Sequence, residues 1–288
     1  MAMVAGCIFF GNSMMRVLLR KCIFPFLSVL ATSTAWSSLE SMEQKESSEK
    51  EAYLRANDAA WKSVFFDSLT GNWEDKWFLD GEIGSVKTSS SGMEMRAGPE
   101  AFNNSHHVVL WTYQEFEGDL KIEYEYTRLD EQQRFVNILY IQATGSNQGP
   151  YKKDIAEWSD LRSVPSMRMY FDHMNTYHLS YAANFDEDGT SYIRGRRYMP
   201  HKTGLDGTKL EPDYYPEGLF QTGITHKICV IKKDRALFVR IENPEQVYYC
   251  HIRNTDLPGI DSGRVGLRHM FTRSARYKNF RVSVPENR

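Results

Sequence analysis

Cysteine is scarce in this sequence, which limits how the chain can be cross-linked. Four cysteines occur in 288 residues, and only Cys229 and Cys250 lie beyond the N-terminal segment described below. They fall in two strand-like segments that a third such segment separates. The outer strands of a flat three-stranded meander lie about 9 to 10 Å apart, beyond the reach of a disulfide. The sequence therefore predicts two thiols.

Net charge and long apolar runs are also lacking. The formal charge is −2, which gives no overall attraction to nucleic acid or to an anionic membrane. The apolar run at residues 22–31 is too short to span a bilayer comfortably. No phosphate-binding glycine loop, nucleophile elbow, Cys-x-x-Cys pair or internal repeat occurs. The sequence predicts no nucleic-acid partner, and no membrane attachment once the N-terminal segment has been removed.

The N-terminus has the organisation of an export signal. Arg16, Arg20 and Lys21 precede the apolar run. Ser33 to Ala35 then provide the small residues at which signal peptides are cleaved. The sequence thus predicts a signal peptide at 1–35 and a mature protein that is secreted or periplasmic.

Short alternating segments dominate the rest of the chain. Residues 36–62 are charged and poor in β-branched residues, so they predict a tether or a loose helix. About a dozen strand-like runs follow, separated by Gly, Asp and Asn, a spacing typical of a β-sandwich or barrel. The sequence predicts one all-β domain at 63–285, with a short helix or lid at 154–162.

Two strand-like segments differ in which faces are apolar. In KIEYEYTR, the residues Ile122, Tyr124 and Tyr126 share one face and charged residues the other, the pattern of a half-buried antiparallel strand. In RFVNILYIQATG, residues 134–145, both faces carry large apolar side chains with polar groups among them. Each face of this second strand therefore needs a cover, and one of the two covers can be a ligand.

A pair of carboxylates on one strand suggests glycosidase chemistry. Glu123 and Glu125 share a face at a separation that approaches the one used by retaining glycosidases. A familiar glucanase strand reads Glu-x-Asp-x-x-Glu, whereas Arg128 occupies the third acidic position here. A solvated face, on which Lys121 alternates with the acids, explains the pattern better. The sequence excludes a standard two-carboxylate glucanase.

Histidines, tyrosines and arginines offer a different chemistry. His107 shares a strand face with Trp111, and further histidines lie at 178 and 269. A His–Tyr–Arg set on a concave sheet suits proton abstraction beside a uronate carboxylate, because arginine holds the carboxylate while His or Tyr moves the proton. Two alternatives stay open: histidines that bind zinc, and histidines hydrogen bonded to the backbone in the core or at its rim.

Arginines cluster in two segments of this nearly neutral chain. IRGRRYMPHK contains Arg194, and GRVGLRHMFTRSARYKNFR contains Arg268 and Arg273. Since arginine pairs bidentately with carboxylate or sulfate, the clusters indicate an anionic ligand. The alternative is that these arginines pair with the many Asp and Glu residues elsewhere.

One segment resembles a loose calcium loop. FDEDGTSY, residues 185–192, carries Asp186 and Asp188. The Asp188-Gly189 pair is also an ordinary hairpin turn, and the turn is the better interpretation. The sequence predicts no cofactor and no metal ligands, with structural calcium as the alternative.

Long stretches of the chain resemble a known family. They are GPEAFNNSHHVVLWTYQEFEGDLKIEYEYTRLD, RFVNILYIQATG, YHLSYA and GRVGLRHMFTRSARYKNFRVS. They are similar to the YesU-like family, a domain of unknown function, over about residues 63–285. The resemblance implies a concanavalin A-like jelly-roll sandwich of two antiparallel sheets, one of them concave, encoded among genes for polysaccharide breakdown. The family carries no settled catalytic set, so none is transferred.

A concave sheet would explain the strand that is apolar on both faces. One face packs on the opposing sheet and the other turns toward a ligand groove. Phe135, Leu139 and Ile141 are then assigned to the core, with Asn137 satisfied internally. The groove-lining residues of this strand are Arg134, Tyr140 and Gln142. In the closing region of the chain, Val265 and Leu267 point to the core and Arg264 and Arg268 outward.

These expectations lead to a carbohydrate-active protein that acts on or binds an acidic polysaccharide or oligosaccharide of plant or algal type. The candidate catalytic residues are His107, Tyr140, His178 and His269. The candidate substrate-binding residues are Trp111, Arg134, Gln142, Arg194, Arg268 and Arg273. A lyase or hydrolase is slightly favoured over a lectin-like binding module. A third hypothesis, a structural surface protein, predicts a groove filled by the protein's own side chains.

Overall fold

The computed structural model of the protein describes residues 30–184, 191–202 and 204–286. The chain divides into two compact units, Met1–Gln44 and Lys45–Arg288, and the β-structure belongs to the second unit. Most of the predicted signal peptide lies outside the described residues, as do Asp186 and Asp188 of the proposed calcium loop. Within the described ranges, none of the helices combines the length and the apolar character that a membrane span requires.

Fourteen strands, two α-helices and three 3-10 helices form in the described ranges. The strands are β1 (Trp61–Asp67), β2 (Trp77–Asp80), β3 (Ser85–Ser89), β4 (Gly92–Arg96), β5 (Val108–Glu117), β6 (Leu120–Arg128), β7 (Asn137–Gly145), β8 (Met174–Asn184), β9 (Ser191–Tyr198), β10 (Thr225–Lys233), β11 (Ala236–Glu242), β12 (Val247–Ile252), β13 (Ser262–His269) and β14 (Ser274–Pro285). The α-helices are α1 (Leu30–Asn57) and α2 (Met167–His173), and the 3-10 helices span Trp73–Asp75, Asn104–His106 and Ile155–Arg162.

The strands form two antiparallel sheets that pack face to face. Sheet A has the order β12-β11-β10-β6-β14-β4-β3, with β1 also paired to β14. Sheet B has the order β2-β5-β13-β7-β8-β9. Alternate residues of each sheet point inward, as the pleat of a strand requires, and form one apolar core. The predicted two-sheet, all-β sandwich is confirmed.

The regular alternation of β6 and β13 orients their side chains as the sequence predicts. The inward residues of these two strands are Ile122, Tyr124 and Tyr126 on β6, and Val265 and Leu267 on β13. The side-chain nitrogen of Asn137 finds a partner inside the sandwich, as expected, since it donates to the Tyr126 hydroxyl at 2.6 Å, whereas the Oδ1 atom is buried without one. Buried polar groups of this kind need a partner to avoid a desolvation cost.

Both faces of β7 are covered by protein. Leu139 and Ile141 enter the inter-sheet core, whereas Tyr140 faces a second apolar cluster on the outer side of sheet B. The expectation for Phe135 is wrong, because this residue precedes the strand, takes a left-handed backbone with φ of 70°, and packs on Phe102 and Phe271 instead.

The cover on the outer side of sheet B is the segment 150–173, here called the lid. It contains the 3-10 helix Ile155–Arg162, close to the short helix predicted at 154–162, and then α2. Asp154 caps the 3-10 helix by accepting from the Ala156 amide at 2.9 Å, and Ser166 caps α2. Apolar lid residues, Ile155 and Trp158 among them, pack onto the sheet.

The two cysteines lie on β10 and β12, with β11 between them, as predicted. Cys229 pairs with Arg240 and Cys250 with Val239, so the two side chains point to opposite faces of sheet A. Both thiols are free. Tyr53 of α1 packs over Cys229 on the outer face of this sheet, so the helical alternative for the charged segment is the one that forms.

Candidate functional site

A buried carboxylate helps to hold the lid to sheet B. Asp80 ends β2, and its Oδ2 atom accepts hydrogen bonds from Trp111 Nε1 at 2.7 Å, Arg162 Nε at 2.6 Å and Tyr170 OH at 2.8 Å. Arg162 and Tyr170 belong to the two helical segments of the lid, whereas Trp111 belongs to β5. The sequence analysis did not single out Asp80, because a lone acid at the end of a short strand carries no distinguishing pattern.

Three aromatic rings form one wall beneath the lid. Tyr140 stacks on Trp111 with a centroid distance of 5.3 Å and on Tyr170 with 5.8 Å. Gly266 of β13 makes room for this stack, since a Cβ atom there would lie 2.4 Å from the Trp111 ring. The wall therefore depends on a glycine in the interior of a strand, a position that glycine normally weakens.

Arg268 is buried in this wall without an acidic partner. One of its terminal nitrogens, Nη2, donates to the Pro165 carbonyl of the lid and contacts His107 Nδ1. Its guanidinium lies 4.5 Å above the Tyr170 ring. Its Nε and Nη1 atoms have no hydrogen-bond partner, and among the described residues no carboxylate pairs with it. A buried cation in this state is costly to the fold.

His107 next to Arg268 is held neutral. Burial, and secondarily the Arg268 charge, lower the pKa of His107 to about 3. Its Nδ1 atom lies 3.1 Å from the Pro165 carbonyl. Its Nε2 atom is buried and has no partner. A neutral imidazole with one free nitrogen is able to accept or donate a proton there.

His178 provides a second neutral imidazole close to Tyr140. Burial, followed by the charges of Arg196 and Arg268, lowers the pKa of His178 well below its usual range. Its Nδ1 atom hydrogen bonds to the Tyr198 hydroxyl, and its Nε2 atom has no partner. The ring meets the Tyr140 ring edge-on at 5.8 Å.

The Tyr140 hydroxyl is also buried and makes no hydrogen bond of good geometry, although the Tyr198 hydroxyl and the Arg268 guanidinium lie close to it. Burial raises the pKa of this phenol, although the Arg268 charge opposes the shift. Tyr140 therefore stays protonated at neutral pH and is able to donate.

These side chains define one site, called the polar cluster. Its members are Asp80, His107, Tyr140, Arg162, His178 and Arg268. Each has at least one buried nitrogen or oxygen without a partner. Since buried polar atoms in folded proteins are normally hydrogen bonded, their concentration under the lid marks the polar cluster as the candidate site.

The predicted open groove is wrong. Trp111, Tyr140 and Arg268 are 0% exposed, because the lid covers them. The alternation of the strands predicts that Tyr140 and Arg268 face outward and that His107 shares a face with Trp111, and these side chains do lie on the outer side of sheet B. The alternation of a strand indicates on which face a residue lies, but not whether another segment of the chain covers that face.

His269 and Gln142 do not lie in the polar cluster. His269 points into the sandwich, where its Nε2 atom hydrogen bonds to the Tyr277 hydroxyl at 2.7 Å. It has the parity of the inward-facing Leu267, which explains its placement. The strand pairing shifts register between Ile141 and Thr144, so Gln142 turns away and donates to the Gly118 carbonyl at 2.9 Å.

Three predicted arginines are also elsewhere. Arg194 pairs with Asp213, its Nη2 atom 2.6 Å from Oδ2. Arg273 pairs with Asp130 at 3.1 Å. These two follow the alternative in which arginines pair with local acids. Arg134 precedes β7 and lies over the Phe102 ring, 5.8 Å from its centroid.

Two further hypotheses concern the paired acids of β6 and a bound metal ion. Glu123 and Glu125 lie on β6 of sheet A, whereas the polar cluster lies on sheet B. Lys121 pairs with Glu123 at 3.4 Å, in keeping with a solvated face. In the ranges that the structure describes, no three His, Cys, Asp or Glu side chains assemble a site for a metal ion.

Comparison with known proteins gives first the class of fold. A Bacillus subtilis protein of unknown function with a galectin-like fold superimposes with a TM-score of 0.59 at 16% identity, over 79% of this chain and 100% of its own. A legume lectin-like domain from Entamoeba histolytica gives 0.50 at 8% identity, over 80% and 100%. The potassium-bound carbohydrate recognition domain of Emp46p gives 0.50 at 10%, over 77% and 98%. The protein is a concanavalin A-like jelly-roll sandwich.

The family follows from the sequence itself. Residues 64–282 match the family described as Domain of unknown function (DUF1961), and the chain belongs to that family. No curated protein matches the chain.

Proposed function

We propose that this is an exported carbohydrate-active protein that receives an acidic group of a plant- or algal-type saccharide in the polar cluster. The observation that supports it best is Arg268, whose Nε and Nη1 atoms are buried and unpartnered. Each of these two atoms is available to donate to an oxygen of a carboxylate or sulfate. The chain also resembles the YesU-like family, which is encoded among genes for polysaccharide breakdown, and this resemblance supports a saccharide ligand. The match to DUF1961 does not test that resemblance.

The favoured activity is a lyase reaction on a uronate. Arg268 would neutralise the uronate carboxylate and so acidify the adjacent C5–H bond. His107 or His178, both neutral, would take the C5 proton as the C4–oxygen bond breaks and the C4–C5 double bond forms. Tyr140 would donate its proton to the leaving oxygen. The step is balanced, because one proton leaves the sugar and one reaches the released chain.

Access to the polar cluster requires movement of the lid. Pro165 contributes the carbonyl that contacts both His107 and Arg268, so this part of the lid lies directly over them. Exchange of such contacts for those of a ligand is common among active-site lids.

Two other functions are compatible with this fold. The first is a non-catalytic sugar-binding module, which the fold shared with carbohydrate recognition domains favours. The second is a structural protein whose groove is filled by its own side chains. The lid does fill that face, but a purely structural cover would not be expected to leave so many buried polar atoms unpartnered. This difference favours a ligand.

The test is a screen against uronate-containing and sulfated poly- and oligosaccharides. Products are read by mass and by absorbance of unsaturated ends, and binding by calorimetry. We expect turnover that the His107→Ala, His178→Ala double variant abolishes while binding is mostly kept. His226→Gln, which alters a buried histidine of sheet A, is the control.

Each outcome decides between the candidates. Persistence of turnover in the double variant would overturn the assignment of the two histidines. Binding without any product would favour the sugar-binding module. A wild-type protein that binds none of the acidic saccharides would remove the proposal.

A further inference from the structure

An aromatic surface lies beside the polar cluster and has no role in it. Phe102, Phe135 and Phe271 form a triangle with ring-centroid distances of 5.4, 5.7 and 4.3 Å. The Arg134 guanidinium lies 5.8 Å from the Phe102 centroid and 6.0 Å from that of Phe135. These four residues are called the aromatic rim.

The rim presents its rings at a cost to the fold. Phe102 is 71% exposed, an unfavourable placement for the largest apolar side chain on this surface. Both Phe102 and Phe135 take left-handed backbone conformations, with φ of 65° and 70°. Bulky residues rarely adopt this region, and such strain concentrates at ligand sites. The strained backbone at both phenylalanines, together with the exposure of Phe102, indicates a surface kept for binding.

The rim continues into the polar cluster without a break. Phe271 stacks on His107 with a centroid distance of 4.6 Å and an interplanar angle of 29°. His107 in turn contacts Arg268. Once the lid has moved, a ligand whose charged group lies at Arg268 would extend past His107 and Phe271 toward Phe102.

Arg134 supplies charge at the outer end of this path. Among the described residues no carboxylate pairs with Arg134, and its guanidinium is held only above the two phenylalanine rings. It is free to pair with an anionic group of a ligand. An apolar ring face beside a free guanidinium fits a sugar ring, whose C–H face stacks on an aromatic while its acidic substituent meets the arginine.

We infer that the aromatic rim is a second saccharide subsite, which holds the sugar ring next to the one at Arg268 in an acidic oligosaccharide. The inference rests on the proposed function, since it assumes an acidic saccharide in the polar cluster. It adds that the protein recognises at least a disaccharide, and that the chain runs from Arg268 outward across Phe102.

The test compares the binding of an acidic monosaccharide with that of its di- and trisaccharide, measured by calorimetry on the full chain. Phe102→Ala and Arg134→Gln should each weaken binding of the oligosaccharides about fivefold or more, and leave the monosaccharide within about twofold. The matched control is Phe66→Ala. Phe66 is a 44% exposed phenylalanine on sheet A that also lies under an arginine, Arg281 at 4.9 Å.

The outcomes separate this inference from the proposed function. Unchanged oligosaccharide affinity in both rim variants, with binding by the wild type intact and lost in Arg268→Met, overturns the subsite alone. Equal losses for monosaccharide and oligosaccharide also overturn it. A wild type that binds none of the ligands overturns both proposals. Loss confined to the oligosaccharides, with Phe66→Ala unchanged, supports the subsite.

Discussion

Two arginines of the polar cluster, Arg162 and Arg268, are equally buried but have opposite surroundings. Arg162 forms an ion pair with Asp80 at 2.6 Å, and its guanidinium also lies 4.3 Å from the Trp158 ring. Arg268 has a carbonyl, an imidazole and a ring face but no carboxylate. A buried cation is normally compensated by a buried anion. The compensated arginine therefore stabilises the fold, whereas the uncompensated one is the residue that we propose binds a ligand.

The two arginines should respond differently to replacement by methionine, which fills a similar volume. Arg162→Met leaves Asp80 buried without its ion pair, and should lower the free energy of unfolding by about 3 to 5 kcal/mol. Arg268→Met removes an unpaired buried charge, so the free energy of unfolding should stay unchanged or rise by about 1 kcal/mol while acidic saccharides no longer bind. Urea unfolding and calorimetry measure both effects. Similar destabilisation by the two substitutions would mean that Arg268 is structural.

At the scale of elements, β13 and β5 form the floor on which the lid closes. Trp111 of β5 lies across Gly266 of β13, so its indole stacks on Tyr140 of β7 and reaches Asp80 at the end of β2. One small residue in a neighbouring strand thus determines where the largest ring of the site can lie.

Replacing this glycine should disturb the wall without touching the polar groups. Gly266→Ala would place a methyl group 2.4 Å from the Trp111 ring, so the indole must shift. We expect a loss of about 1 to 3 kcal/mol in the free energy of unfolding and a changed near-ultraviolet circular dichroism spectrum. The control is Gly71→Ala, where nothing lies within 4 Å of the added carbon. An unchanged spectrum for Gly266→Ala would contradict the proposed dependence of the wall on this glycine.

On both sheets of the molecule, several buried histidines are kept neutral. Burial lowers the pKa of His226 to about 4, and that of His107 and His269 to about 3, with Arg268 and Arg273 adding to the effect at the latter two. His226 accepts from the Phe220 amide at 2.9 Å, which requires its neutral form. The fold as a whole therefore resists protonation of these groups.

This resistance predicts a stability that falls as the pH is lowered. Below the unfolded pKa of about 6.5 the unfolded chain takes up protons that the folded chain refuses, so the free energy of unfolding declines by up to about 1.4 kcal/mol per pH unit for each such histidine. The stabilisation is fully present above pH 6.5 and is lost progressively toward the folded pKa values. Urea unfolding between pH 7 and pH 5 measures the slope, in a range above most carboxyl titrations. His226→Gln should reduce the slope of the unfolding free energy against pH by the contribution of one histidine. A variant whose slope equals that of the wild type would contradict this account.

The sequence alone carried much of the architecture. Alternation in β6 and β13 identified inward residues such as Tyr126 and Leu267, because a strand has a period of two whatever surrounds it. The same parity put His107, Trp111 and Arg268 on one outer face. It failed at Gln142, where a register shift breaks the period, whereas the inward position of His269 agrees with the parity it shares with Leu267. Asp80 and Arg162 were missed, since their meeting joins residues far apart in the chain.

What the sequence determined by itself was therefore local: strand periodicity, the two separated thiols, a helical segment near residues 154–162, and the chemical types available on each face. What only the tertiary structure decided was coverage and pairing. The lid folds onto sheet B and turns an expected groove into a sealed polar cluster, while Arg194 and Arg273 find acids and Arg268 does not. The physical reason is that burial and charge compensation depend on long-range contacts, whereas the face on which a side chain lies depends on its immediate neighbours in the strand.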